Sequence, residues 1–224
     1  MFSRRSGIAA LLLVLVSVGL APSAQATDTS RHVVSIARAR TLPPDTVVTL
    51  EGVATTPSGA FESSFFDKGF AIQDHSAGIY VSVAVDLHVS PGARVHATGT
   101  LADSFGLRIL VPADPAAVHV HGKGAAIDPR KVRTGAVGED TEGLLVSVVA
   151  RITSAPESDL PFGFKFLVDD GSGELTIFVN TQTGIDLSGL AVGQTVRVTG
   201  FSSQFDTHYE IDPRFPADIT RPHC

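Results

Sequence analysis

The stretch Pro91-Gly92-Ala93-Arg94-Val95-His96-Ala97-Thr98-Gly99 returns later as Val192-Gly193-Gln194-Thr195-Val196-Arg197-Val198-Thr199-Gly200. Two glycines, the alternating apolar positions and a Thr-Gly ending all match at an offset of 101. The same offset carries Pro112 to Pro213, Pro115 to Pro216 and Val118 to Ile219. Upstream the offset is 96: Phe70-Ala71-Ile72-Gln73-Asp74 matches Phe166-Leu167-Val168-Asp169-Asp170, and Val81 matches Ile177. The difference is a five-residue insertion near Thr181 to Gly189. The chain is an internal duplication.

Each repeat reads as short strands. The first gives Val47–Val53, then Phe70–Asp74 and Ile79–Val83 as a hairpin around His75-Ser76-Ala77-Gly78, then Arg94–Thr98 and Arg108–Val111. The second gives Leu145–Ile152, Phe164–Asp169, Glu174–Val179, Thr195–Thr199 and Tyr209–Ile211. Alternation is clearest in the fourth strands, where Val95 and Ala97, like Val196 and Val198, share one side. Long helical periodicity is absent, and one short helix is expected at Ile36–Arg40 with Ser35 as N-cap and Pro43 as the stop. Five strands per repeat, with a long connection between the third and fourth, predict an all-β chain of two tandem OB-fold-like five-stranded Greek-key barrels. A five-stranded open sandwich is the alternative. The expected organisation is a lead-in over 27–45, a first barrel over 46–121, a polar linker over 122–140, a second barrel over 141–220 and a tail over 221–224.

The first 26 residues stand apart. Arg4 and Arg5 precede an uncharged apolar run, Ile8–Leu20, and then Pro22-Ser23-Ala24-Gln25-Ala26. That order reads as a cleaved signal peptide, the run being too short to span a bilayer. The protein is therefore expected to begin near Thr27 and to be periplasmic or extracellular, with no membrane span. Without the leader the chain carries 15 basic against 23 acidic residues, a net of −8. Such a field does not attract polyphosphate, so nucleic acid needs a local contact. Residues 46–126, with seven acids and four bases, are a better place for one than residues 141–224, with eleven and five. The single cysteine, Cys224, excludes a disulfide within the chain and is expected to be an exposed, non-catalytic thiol.

Several groups invite chemistry. Asp169-Asp170-Gly171-Ser172-Gly173-Glu174 has carboxylates spaced for a hard cation, but a hairpin turn accounts for it and for Asp74-His75-Ser76-Ala77-Gly78 alike. His119-Val120-His121 puts two imidazoles on one strand face, too few for a metal unless folding brings His88 or His96 close. His208 lies near Glu210 and Asp212 without a nucleophile motif. The expectation is no catalytic residue, no metal and no cofactor. Aromatics carry more: Phe61, Phe65 and Phe66, with Phe162, fall between strands one and two, and Phe105, Phe201 and Phe205 between strands four and five. In OB-folds these loops flank the ligand groove. Tyr80 and Phe178 take the outward phase of the third strands. Tyr80, Phe105 and Lys68 are thus the expected binding face, with Arg108, Phe178 and Lys165 as further candidates.

Glu142-Gly143-Leu144-Leu145-Val146, the run Phe166–Gly173 and the run Leu190–Gly200 resemble exported bacterial OB-fold modules that accompany secreted nucleases of the endonuclease/exonuclease/phosphatase type. The resemblance covers most of the chain after the leader and is clearest in the second repeat. It implies the OB fold and, by analogy of fold, nucleic-acid binding. The nuclease domain has no counterpart among these residues. The expected function is a secreted, non-enzymatic protein binding single-stranded nucleic acid or another extended polymer, such as an oligosaccharide. The alternative is a structural or protein–protein interaction module of the cell envelope.

Overall fold

The computed structural model describes residues 32–222; the expected signal peptide and Cys224 lie outside the described residues. In the first repeat come β1 (Val33–Val34), α1 (Ile36–Arg40), β2 (Val47–Ala54), α2 (Glu62–Phe65), β3 (Phe70–Gln73), β4 (Gly78–Val81), β5 (Ala93–Ser104), β6 (Leu107–Val111) and β7 (Val118–Lys123). The second has β8 (Arg130–Lys131), β9 (Leu145–Asp159), β10 (Gly163–Asp169), β11 (Leu175–Asn180), β12 (Thr195–Phe205), β13 (His208–Asp212) and β14 (Ile219–Thr220). Strands pair in the order β2-β3-β4-β6-β5, and β5 returns to β2, closing a five-stranded barrel. The second barrel closes identically as β9-β10-β11-β13-β12-β9. In each, the third and fifth strands pair in parallel. These are two tandem Greek-key barrels of the OB type, and no helix among the described residues is long and apolar enough to cross a membrane.

The repeated glycines have structural causes. Gly92 and Gly193 turn the chain into the fourth strand at φ +90 and +89, a region that costs L-residues about 1–2 kcal/mol. Gly99 and Gly200 lie where the fourth strand changes partner: residues 94–100 pair with β2 and 100–104 with β6, as 195–201 pair with β9 and 201–205 with β13. A Cβ on Gly99 would stand 2.7 Å from the Val111 carbonyl oxygen, and one on Gly200 would meet that of Asp212. The sequence reading stops the fourth strands at these glycines, whereas both continue into the next hairpin.

Inward residues form one core per barrel. Val95 and Ala97 pack with Leu50, Phe70, Ile79 and Val81, and Val196 and Val198 with Val148, Phe166 and Ile177. The helix at Ile36–Arg40 forms as expected, the Ser35 hydroxyl accepting from Arg38 N at 3.3 Å. Arg130–Lys131, within the polar linker, pair in parallel with β9 as β1 pairs with β2.

The acidic hairpin turns brace these lead-in segments. Asp74 accepts from Ile36 N at 2.9 Å, and Ser76 from Ala37 N at 3.1 Å. In the second barrel Asp170 accepts from the Thr134 hydroxyl at 2.9 Å, and Ser172 from Gly135 N at 2.9 Å. Asp169 accepts from Gly171 N and Gly173 N at 2.6 and 3.2 Å. The carboxylates that resemble a cation loop are thus engaged by the turn and the lead-in. The Ser172 hydroxyl, followed by Thr134, holds the Asp170 carboxyl down to about 2. Its folded value lies below its unfolded value of about 4, so its stabilisation is present above pH 4 and is lost as pH falls towards 2. Asp170→Asn should therefore be less stable than wild type at pH 7, with the two curves converging near pH 2 in urea melts followed by circular dichroism. A constant gap across that range would refute this account.

Candidate ligand groove

The two barrels present equivalent outer faces with different fates. Outside the first core, β3, β4 and β6 carry Ala71, Tyr80, Leu107 and Ile109, with Ala71, Tyr80 and Ile109 in one cross-strand row. At the same places the second barrel carries Leu167, Thr176, His208 and Glu210, with Leu167, Thr176 and Glu210 in the matching row. The first set is apolar and buried, forming a third cluster with Phe61 and with Phe201 of β12. Phe65 of α2 stacks on Tyr80 at 4.1 Å between ring centroids, and Phe201 stands 6.0 Å away. The second set is mainly polar and borders an open groove of about 630 Å³.

Tyr80 corrects the expectation. Its phase is outward from the first barrel, but its ring is fully buried because the second barrel and α2 cover that face. Its hydroxyl donates to Asp67 at 2.8 Å, and burial followed by the Asp67 charge pushes its ionisation far up. Lys68 pairs with Glu62 of α2 and does not line the groove. Arg108 lies at the seam between barrels. Its backbone N donates to Glu142 at 3.0 Å, and its Nη1 is buried without a hydrogen-bond partner among the described residues. Three candidates do converge: Phe105, Lys165 and Phe178 line one groove. It lies on the second barrel, although the charge count favours the first.

Both repeats build its walls. Lys165 and Phe178 are direct cross-strand partners on β10 and β11. Phe162 enters from the loop between β9 and β10, and Phe205 from the end of β12. Phe66 and Phe105 reach over from the first repeat, giving contacts Phe66–Phe162 at 5.7 Å and Phe105–Phe205 at 5.1 Å. Phe66 and Phe105 are 76% and 59% exposed and adopt φ of +57 and +51, uncommon for bulky residues. Their turns hold them there: Phe66 N donates to Glu62 O at 2.7 Å, and Phe105 O accepts from Asp206 N at 2.7 Å. The polar margin has Lys165 and His208 against Asp159 and Glu210. His208 Nε2 lies 3.5 Å from Glu210, and that hydrogen bond raises the imidazole's affinity for a proton. Aromatic faces with nearly balanced charge suit stacking on a planar ligand better than capture by charge alone.

Phe66, Phe162 and Phe205 were legible as loop aromatics; His208 and Glu210 as groove residues were not. The missed signal is the apolar outward phase of Ala71, Tyr80, Leu107 and Ile109. A strand apolar on both faces is covered on both.

No family model matches the chain. It is similar to Endonuclease YhcR of Bacillus subtilis, 26% identical over 182 residues, which are 77% of this chain and 14% of that protein. The chain thus spans about a seventh of the length of the curated relative it matches. Among solved structures, a murine DNA-binding protein bound with double-stranded DNA shares 12% identity at a TM-score of 0.42, over 79% of this chain and 97% of that one. The hypothetical protein ygiW from E. coli shares 19% at a TM-score of 0.31, over 40% of this chain and 90% of that one. At such scores the structural likenesses carry no functional argument.

Proposed function

We propose that this chain is an exported, non-catalytic binding module that holds single-stranded nucleic acid in the groove of its second barrel. The observation that carries the reading is the open outer face of β10 and β11. There Phe178 and Lys165 lie among Phe66, Phe105, Phe162 and Phe205, while the matching face of the first barrel is filled. OB-folds take oligonucleotides and oligosaccharides on this face. The similarity to part of a protein named as an endonuclease favours the nucleotide. Each stacked base typically contributes about 1–3 kcal/mol. With few cations at the groove, the salt dependence should be shallow.

Fluorescence anisotropy with labelled single-stranded oligonucleotides tests this. Phe205→Ala and Phe105→Ala, which remove exposed rings, should each weaken binding by about tenfold, the loss of one stacking contact, whereas Phe178 is buried in the groove floor and supports it by packing. Tyr80→Phe should leave binding unchanged, and a fully paired duplex should bind less well because its bases are not free to stack. If no oligonucleotide binds at low salt, the nucleotide reading fails and a polypeptide partner becomes the better one.

A further inference from the structure

Away from the groove, the outer surface of the first barrel gathers three imidazoles. His96 of β5 lies directly opposite His119 of β7, and His121 follows two residues along the same strand. His119 is central, its ring centroid 6.2 Å from His96 and 6.4 Å from His121. His119 and His121 are exposed and His96 is half-buried. We propose that His96, His119 and His121 form a binding site for a divalent transition ion of the zinc class, with water completing the shell.

The geometry follows from the sheet. Directly opposite residues of an antiparallel pair have Cβ atoms about 4.5–5.5 Å apart, and residues i and i+2 share a face. The arrangement therefore places three nitrogen donors over one patch. Zinc–nitrogen bonds of about 2.0–2.1 Å put two tetrahedrally disposed imidazoles about 5 Å apart between centroids. In the rotamers of the structure, no three donors among the described residues converge on one point. The His96–His119 and His119–His121 pairs must each close by about 1 Å and the diagonal pair His96–His121 by more, which the exposed His119 and His121 reach by rotating toward the half-buried His96. Glu51, opposite His96 on β2, is paired with Arg94 and so is not counted as a ligand. Imidazole donors favour zinc, copper and nickel over calcium or magnesium. Because β7 pairs only with β5 among the described strands, a bound ion would clamp this edge strand to the barrel.

Isothermal titration of the purified, untagged protein with zinc chloride tests the site. One ion per chain should bind, and His119→Ala should weaken binding most. Loss of an outer-shell partner typically costs about 10–100-fold in affinity, so loss of the central ligand should cost at least about tenfold. The double variant His96→Ala/His121→Ala should abolish the remainder, and His88→Ala, outside the cluster, should change nothing. All the cluster substitutions are at surface positions, and unchanged circular dichroism spectra would exclude misfolding. No binding at millimolar zinc, affinity unchanged in His119→Ala, or calcium binding as tightly as zinc would each overturn the proposal.

Discussion

Phe201→Ala should lower the free energy of unfolding by roughly 3–5 kcal/mol, the usual cost of emptying a large buried aromatic site. Phe201 belongs to β12 of the second barrel, but its ring is fully buried against the first. It stands 5.9 Å from Phe61 and 6.0 Å from Tyr80, so truncation leaves a cavity at the seam that neither barrel fills alone. Urea denaturation would register the loss as a lower midpoint. The cost should fall on the contact between barrels, so the single transition should broaden or split. A sharp transition with an unchanged midpoint would show that the barrels do not depend on this ring.

Gly143→Ala should cost about 3 kcal/mol for a different reason. Gly143 precedes β9 at φ +84, and its Cβ would run into the carbonyl of Gly78 at the start of β4. The reverse also holds, since a Cβ on Gly78 would meet the carbonyl of Gly143. The obstacle on each side is backbone, which cannot rotate away. Left-handed strain of about 1–2 kcal/mol adds to overpacking of about 1–3 kcal/mol. Leu145 N donates to Gln73 at 3.0 Å nearby, and Arg40 pairs with Glu142 at 2.9 Å, so displacement there disturbs further contacts. Thermal melts of Gly143→Ala and Gly78→Ala should both show the loss. A change below about 0.5 kcal/mol in either would refute a backbone crossing this tight.

The same seam explains why the Tyr80 ring is closed to a ligand. Alternation assigns Tyr80 to the outside of the first barrel, and it is outside that core. The strand phase carries no information on what packs over the face. Phe105 and Phe178 belong to different repeats and meet only because the hairpin tips touch, with Gly106 and Phe205 forming an isolated bridge. The convergence of Phe105, Lys165 and Phe178 could therefore not be read from the offsets. The imidazole patch was half legible, since His119 and His121 share a strand while His96 joins them only through the register of β5 against β7.

The sequence by itself determined two five-stranded repeats and their turns, and the pairing of β5 with β2 and of β12 with β9 closes each into a barrel. Period-two alternation, a glycine at φ near +90 and an Asp-x-Ser turn depend on neighbours a few residues away, whereas the bracing of the lead-in by that turn joins residues 36 to 39 positions apart. The duplication states each of these signals twice. Tertiary structure alone decided which of two equivalent faces is buried and which is open. Burial belongs to a pair of surfaces. Phe201 and Phe65 cover Tyr80 on the first barrel, while Thr176 and Glu210 hold the matching row of the second. Apolar side chains gain by leaving water and polar ones do not, so the docking buries the first face and leaves the second as the groove.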